Sequence, residues 1–353
     1  MTGTKKRIAV VILNWNGQFF LESFLPDVVR YSEGLADVIV ADNASADESV
    51  NWLRKNLPAV RIIQLEKNLG FTGGYNEALK FVDYEYYVLL NSDVRVTPDW
   101  LQPVLDLMDK NPECAACQPK ICSLAHPDEF EYAGAGGGYI DVYGYPFCRG
   151  RIFHSLEKDS AQFNDSRQVF WASGACMFIR SSVFHQLGGF DTEFFAHMEE
   201  IDLCWRIHRE GMQVWYCGTS TVYHVGGGTL PKNNPRKTYL NFRNNLLMLY
   251  KNLPADLFLK VIIARTILDS LAAIIFLFRN GKADFTAVFE AHRDFHKMKK
   301  QYKTTRLNTH TAHNQYFNLI YQNSIVLAFY LFRSKKFSDL NKFPQAKKSG
   351  EKV

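Results

Sequence analysis

The sequence predicts an α/β fold, with a mainly parallel sheet flanked by helices and a helical C-terminal extension behind it. Three observations carry that reading. Apolar runs alternate four times with helix-spaced segments in the first 91 residues, the pattern of right-handed βαβ crossovers onto one sheet. Three of those runs end in polar clusters, Asn14–Asn16, Asp42–Asn43 and Asn91–Asp93. Beyond residue 250 the chain turns strongly apolar and basic. With 353 residues, 47% hydrophobic and 22% charged, a disordered or fibrous chain is excluded.

The first run, RIAVVIL at 7–13, is continuously apolar and closed by Asn-Trp-Asn-Gly, as expected of a buried parallel strand leading into a functional loop. Phe20, Leu21, Phe24, Leu25 and Val28 then recur at helical spacing over 18–31. DVIVA at 37–41 is the second strand, and a helix over 47–57 stops before Pro58. VRIIQL at 60–65 is the third strand. Residues 70–74, Gly-Phe-Thr-Gly-Gly, read as a loop feeding a helix from about Asn76 to Val82, and YYVLL at 86–90 is the fourth strand.

The middle is less regular. Residues 133–150 are rich in Gly and Tyr and read as loop and hairpin. QVFWASGACMFIR at 168–180 reads as one strand with a small-residue kink, and HMEEIDLCWRIHRE at 197–210 as a helix ended by Gly211. Residues 212–225 read as a strand pair ending in His224.

Two apolar stretches follow. Lys260, Arg265 and Asp269 interrupt 257–278, and Asn318, Gln322 and Asn323 interrupt 317–332, so neither is a clean span of about 20 apolar residues. They are either helices covering the sheet or forming a dimer, or an in-plane membrane contact. Basic residues bracket both stretches, which favours the membrane. The tail over 333–353, with seven Lys and Arg against two acids, is expected to be disordered.

Charge is divided along the chain. Residues 1–230 carry 19 Lys and Arg against 29 Asp and Glu, whereas residues 231–353 carry 22 against 7. The two parts are expected to meet different surroundings. No secretory pattern precedes the first strand and the seven cysteines are scattered, which points to a reduced, cytosolic chain. Cys114, Cys117 and Cys122 lack the second pair that a zinc site requires. A nucleic-acid binder is disfavoured, because the basic residues lie in the apolar back third without a recognisable module.

In open α/β sheets, ligands bind beyond the carboxyl ends of the strands, where the three polar clusters fall. Asp93, flanked by Asn91 and Ser92, can hold Mg²⁺ or Mn²⁺ if ligand phosphates supply the remaining oxygens. His224, at another strand end, adds a possible nitrogen ligand. A dinucleotide-binding oxidoreductase is disfavoured, because no G-x-G-x-x-G follows the first strand. A nucleotidyltransferase needs a Gly/Arg/Lys-rich first loop, which VILNWNG is not.

The ordered motifs resemble those of inverting family 2 glycosyltransferases of the GT-A fold, in particular the rhamnosyltransferase-like branch. They are VVILNWNG at 10–17, VIVADNAS at 38–45, NLGFTGGYN at 68–76, LLNSDVRV at 89–96 and WASGACMFIR at 171–180. GGFDTEFFAHMEEIDLCWRIHREG at 188–211, VYHVGGGT at 222–229 and NFRNNLLML at 241–249 complete the set. The resemblance implies a Rossmann-like GT-A domain over 1–250, a helical extension over 251–332 and a basic tail over 333–353. It also implies a nucleotide-diphospho-sugar donor, a divalent metal and transfer with inversion.

Carried over residue by residue, the resemblance assigns Leu13, Asn14, Asn16 and Asp42 to the base and ribose. Asp42 would accept the N3–H shared by uracil and thymine. Asn68, Gly70, Gly74 and Asn76 would line the donor crevice. Asn91-Ser92-Asp93 matches the metal motif with its first Asp replaced by Asn, leaving Asp93 as the carboxylate ligand and His224 beside it. Glu200, in place of the family's Asp, would be the general base, with Glu199 the runner-up and Asp202 orienting or merely a solvated or capping acid. Trp171 and the Ser173-Gly174-Ala175 kink would shape the acceptor side, with the core an equal alternative for Trp171. A glycan or lipid-linked acceptor in cell-surface polysaccharide assembly, at the inner face of the cell membrane, would account for the basic extension. A non-catalytic relative is the alternative that the Asn91 and Glu200 departures raise, and an oligomer is compatible with the sequence.

Overall fold

The computed structural model describes residues 6–226, 234–304 and 314–340. Strand β1 (Ile8–Asn14) has parallel neighbours on both edges, β2 (Ala36–Asp42) and β4 (Tyr86–Asn91), and β3 (Arg61–Gln64) extends the sheet beyond β2. Alternate residues of β1 feed two separate cores, as a strand period of two requires. Ala9 and Val11 pack with Ile39, Ala41, Tyr87 and Leu89, and Ile8, Val10 and Ile12 with Val40, Val88 and Leu90. Both cores are apolar, so the run reads as continuous. Helices α1 (Gln18–Tyr31) and α2 (Ser49–Asn56) cover the second core and α3 (Gly70–Ala78) the first.

The other half of the sheet is mixed. Beyond the short β5 (Val94–Val96) and α4 (Gln102–Lys110), β6 (Cys114–Ser123) enters the sheet. A hairpin of β7 (Gly138–Asp141) and β8 (Pro146–Cys148), then β9 (Arg151–Ile152) and β10 (Ser155–Leu156), forms most of a second sheet. The chain returns through β11 (Ser166–Val169), β12 (Cys176–Arg180), α5 (Ser181–Gln186), α6 (Glu199–Arg209) and β13 (Gln213–His224). The main sheet runs β11-β13-β6-β12-β4-β1-β2-β3, with β5 paired to β13. Helices α7 (Pro235–Asn252), α8 (Ala255–Arg279) and α9 (Lys282–Met298) follow, and the expected boundary at 250 falls at the end of α7. The last described elements are β14 (Ile320–Tyr321), parallel to β7, and α10 (Ile325–Tyr330).

Several elements differ from expectation for identifiable reasons. The helix expected from about Asn76 starts at Gly70, so Gly73 and Gly74 lie inside it. A Cβ on Gly74 would stand 2.8 Å from both Leu13 methyls, so the glycine lets α3 lie close against β1. Residues 168–180 are two strands: β11 lies at the sheet edge and β12 between β6 and β4, and 170–175 crosses between them. Residues 212–225 are one strand rather than a pair, and the shift of its register on β6 between Cys217 and Thr221 mimics a turn in the sequence. The stretch 317–332 is not one helix, because Ile320 and Tyr321 join the second sheet. The tail is ordered at its start: Phe337 packs on the rings of Tyr139 and Phe163, and Leu340 is buried. Residues 341–353 lie outside the described residues.

Candidate active site

Strand register brings the polar clusters together. Leu13 lies opposite Asn91 on one side and Ala41 on the other, and Asn14 opposite Asp42. Asn14 Nδ2 donates to Asp42 Oδ1 and Ser45 Oγ, both at 3.2 Å, and Ser45 N donates to Asp42 Oδ2 at 3.0 Å. Asn16, exposed and at φ 50°, donates its N–H to Ser45 Oγ and accepts from Ala46 N. Asp42 is only 2% exposed, yet each oxygen accepts one hydrogen bond in the network and keeps a lone pair. Ser45, which sequence reasoning did not single out, joins the two loops.

Asn43, part of the Asp42–Asn43 cluster but assigned no role from the sequence, links this end to the next segment. Its Oδ1 accepts from Leu69 N at 3.0 Å, and its Nδ2 donates to Asn68 Oδ1 and Gly70 O. Gly70 sits at φ +71°, and a Cβ there would lie 2.5 Å from the Phe195 ring. Asn76 has a different job. Its amide bonds both Phe190 N and Phe190 O, clamping that loop instead of presenting the side chain as a donor contact.

Asp93 and His224 meet as expected, with His224 Nε2 3.1 Å from Asp93 Oδ1. A third group, Glu131, was missed: its Oε2 is 3.2 Å from His224 Nδ1, close enough for an ion pair but without hydrogen-bond alignment. Burial lowers the imidazole pKa, but the two flanking carboxylates outweigh it and push the value up to about 10. Burial also opposes ionisation of Glu131, yet His224 holds its carboxyl below the ordinary range. Glu131 lies in a glycine-rich loop with no spacing signal, so the sequence offered nothing to find it by.

The residues fit a divalent cation of the kind that borrows ligands. Asp93 offers one oxygen beyond its bond to His224, and no group of three or more His, Cys, Asp or Glu among the described residues forms a protein-only cage. His224 becomes a ligand only when it gives up the proton that it shares with Asp93.

Before α6 the backbone takes φ 62° at Phe195 and φ 71° at both His197 and Met198. Such conformations cost on the order of 1–3 kcal/mol each and persist only where the surroundings impose them. Asn244 Nδ2 imposes this one, lying within 2.9 Å of the carbonyls of Phe194, Ala196 and His197. The loop delivers Glu199 and Glu200 to the first turn of α6, each with an oxygen that has no hydrogen-bond partner among the described residues. Burial raises both carboxyls, and the Glu200 charge raises Glu199 further. Asp202 differs: it is fully buried, accepting from Asn252 at Oδ1 and from Arg206 and Lys251 at Oδ2, all at 2.9 Å. It is neither a solvated nor a capping acid.

The kink lies between these groups. A Cβ on Gly174 would lie 3.9 Å from that of Glu200, and Ala175 O accepts from Asn91 N at 3.0 Å. Ser173 is a turn residue, its hydroxyl bonded to Ala133 O and Ala175 N. Trp171 does not face an acceptor. It is 4% exposed, lies on Gly138 and donates its indole N–H to Tyr139 O.

A family model described as Glycosyl transferase family 2 matches residues 9–188. The N-acetylglucosaminyl-diphospho-decaprenol L-rhamnosyltransferase of Mycobacterium tuberculosis is 28% identical over 236 residues, covering 62% of this chain and 75% of its own. The low-salt glycan biosynthesis hexosyltransferase Agl10 of Haloferax volcanii is 25% identical over 252 residues, covering 68% and 74%. Among solved structures, GalNAc-T7 with UDP, GalNAc and Mn²⁺ has a TM-score of 0.55 at 13% identity, covering 87% of this chain and 58% of that one. S. aureus TarS 1-349 has a TM-score of 0.50 at 14% identity, covering 86% and 90%. The structural likeness fixes the fold as that of the GT-A glycosyltransferases, and with the family match over 9–188 the chain belongs to glycosyl transferase family 2.

Proposed function

We propose that this chain transfers a sugar from a UDP- or dTDP-linked donor, with inversion, to a lipid-linked glycan in cell-surface polysaccharide assembly. The observation that carries it is the pair Glu199–Glu200, the first buried and the second half-buried, beside the turn whose Ala175 holds Asn91. Glu200 is the acid next to Gly174, and burial raises its carboxyl to about 7. A base with a pKa near the working pH is the efficient one. Glu200 takes the acceptor hydroxyl proton as that oxygen attacks the anomeric carbon opposite the departing diphosphate. The loops at Asn14–Asn16 and Asp42–Ser45 hold the nucleoside. Mg²⁺ or Mn²⁺ on Asp93, with His224 beside it, would neutralise charge on the leaving diphosphate. The Mn²⁺ in the GalNAc-T7 structure supports that cation.

The lipid-linked acceptor draws support from the rhamnosyltransferase relative, whose name specifies a diphospho-decaprenol, and from α8. That helix is long and apolar enough to cross a bilayer by length and composition. Leu259, Ile263, Ile267 and Leu271 are exposed, while Arg265 and Asp269 are buried against the domain. The arrangement favours lying in the plane of the inner face of the cell membrane over spanning it. The test is a screen of nucleotide-sugars for Mn²⁺-dependent hydrolysis, then NMR of the product anomer. A UDP- or dTDP-sugar should turn over, and the transfer product should carry the anomeric configuration opposite to the donor. Retention would refute the mechanism.

A further inference from the structure

Arg151 is 5% exposed and has no carboxylate at ion-pair distance among the described residues, unlike Arg149, which pairs with Asp165, and Arg265, which pairs with Asp269. Among the described residues its guanidinium makes two hydrogen bonds, both at 3.5 Å, to Phe153 O and Cys148 Sγ, and its Nε makes none. A buried cation served so thinly leaves room for an anion. The Tyr132 ring lies 4.2 Å from the guanidinium and is 47% exposed, and the residue before it is Glu131 of the Asp93–His224–Glu131 cluster.

The same patch leads outward to the apolar surface. Phe153 and Tyr330 have ring centroids 5.5 Å apart. Phe329 completes the group, its ring centroid 5.2 Å from that of Phe153 and 5.0 Å from that of Tyr330. Leu331 and Phe332, next along the chain from Tyr330, are both exposed. Exposed apolar residues, an aromatic ridge and a thinly paired buried guanidinium therefore adjoin one another.

We propose that the ridge Tyr132–Phe153–Tyr330 receives an isoprenoid-type lipid diphosphate, its tail toward the exposed Leu331 and Phe332 and its diphosphate at Arg151. The proposal rests on the lipid-linked acceptor reading above and locates it. The sugar beyond the diphosphate extends toward the Asp93–His224–Glu131 cluster.

The test is calorimetric binding of farnesyl diphosphate to the full chain preloaded with UDP and Mn²⁺, with inorganic pyrophosphate as the tail-less comparison. Farnesyl diphosphate should bind at least about tenfold more tightly than pyrophosphate, because its tail buries apolar surface. Tyr132→Ala and Tyr330→Ala should each weaken it about three- to tenfold. Arg151→Lys should weaken it further, and the two tyrosine variants carry the test if Arg151→Lys fails to fold. Equal affinity for the two probes, or unchanged binding in both tyrosine variants, would overturn the proposal. Farnesyl diphosphate binding that appears only in the UDP-free chain would do the same by assigning the anion site to the donor. Flotation with anionic vesicles reads the membrane assignment separately: flotation without farnesyl diphosphate binding leaves the proposed function standing and removes this inference.

Discussion

Replacing Asp202 with Asn separates chemistry from scaffolding in the Glu199-Glu200-Ile201-Asp202 segment. The side chain keeps its shape and loses its charge. In the native chain that charge faces Lys251 and Arg206 at 2.9 Å, and Lys251 also reaches Asp191 at 2.6 Å. Removing one partner of a buried ion pair costs about 3–5 kcal/mol. Asp191 remains to serve Lys251 and Arg206 is partly exposed, so the low end applies, about 3 kcal/mol. At roughly 2 °C per kcal/mol for a domain of this size, the melting temperature should fall by about 6 °C.

The pH dependence of that loss has a definite sign. Burial raises the Asp202 pKa, but Lys251 and Arg206 outweigh it and hold the carboxyl below its ordinary 3.8. A depressed folded-state pKa contributes stability that is fully present above the unfolded value and lost as pH falls through the folded one. The gap between wild type and Asp202→Asn should therefore be full from pH 5 to 8 and close below about pH 4. Thermal unfolding across pH measures it, alongside donor hydrolysis well below the melting temperature, where turnover should fall less than about tenfold. A variant that melts like wild type, still binds UDP and has lost turnover by about 10² or more would show that Asp202 acts in the chemistry instead.

Three further outcomes are expected. Glu200→Gln should lower turnover by about 10²–10⁴ with donor affinity near wild type, and the wild-type rate should rise with pH through about 7 as Glu200 ionises; a dead Glu199→Gln beside an active Glu200→Gln would exchange their roles. UDP with Mn²⁺ should raise the melting temperature and ADP should do little, with the metal dependence lost in Asp93→Ala; equal shifts for UDP and ADP would remove Asp42 from base recognition. The chain should float with anionic vesicles at low salt, with each cation near the surface contributing about 1 kcal/mol, and partly dissociate at high salt; Ile263→Asp with Ile267→Asp should release it, and a wild-type chain that stays in solution would refute the membrane reading.

The front of the fold was legible because two independent signals agreed there. β1, β2 and β4 are apolar on both faces and each ends in a polar cluster, so periodicity located the strands and the clusters located the crevice. The acids at 199–200 were legible only through their place in an ordered motif set. What pins them, Asn244 reaching three carbonyls some 50 residues back, is a tertiary fact with no local pattern. Trp171 went astray for the opposite reason. An aromatic beside a small-residue turn suggests a sugar platform, but Gly138 leaves a space that the indole fills, and that pairing is visible only once the second sheet is built. Glu131 and Arg151 share the difficulty, since both lie in short irregular strands and loops without a period.

The back third shows how the same composition can carry two meanings. Along the sequence, Arg265 and Asp269 interrupt an apolar stretch and argue against a membrane span. In the fold they occupy one helix face, four residues apart, and that face is turned inward. Arg265 pairs with Asp269 and donates to Asn245 and to Tyr143 O, while Asp269 accepts from Tyr145 and contacts His292. Burial favours neutral forms here, yet the mutual charges keep Arg265 raised and Asp269 lowered. A buried pair of this kind adds little net stability over an apolar pair of equal volume, but it fixes which way a helix faces. Without it, a helix apolar almost all round would have no preferred rotation on the domain. With it, Leu259, Ile263, Ile267 and Leu271 are held outward together. The charges that break the apolar run are thus the residues that hold its remaining apolar surface outward.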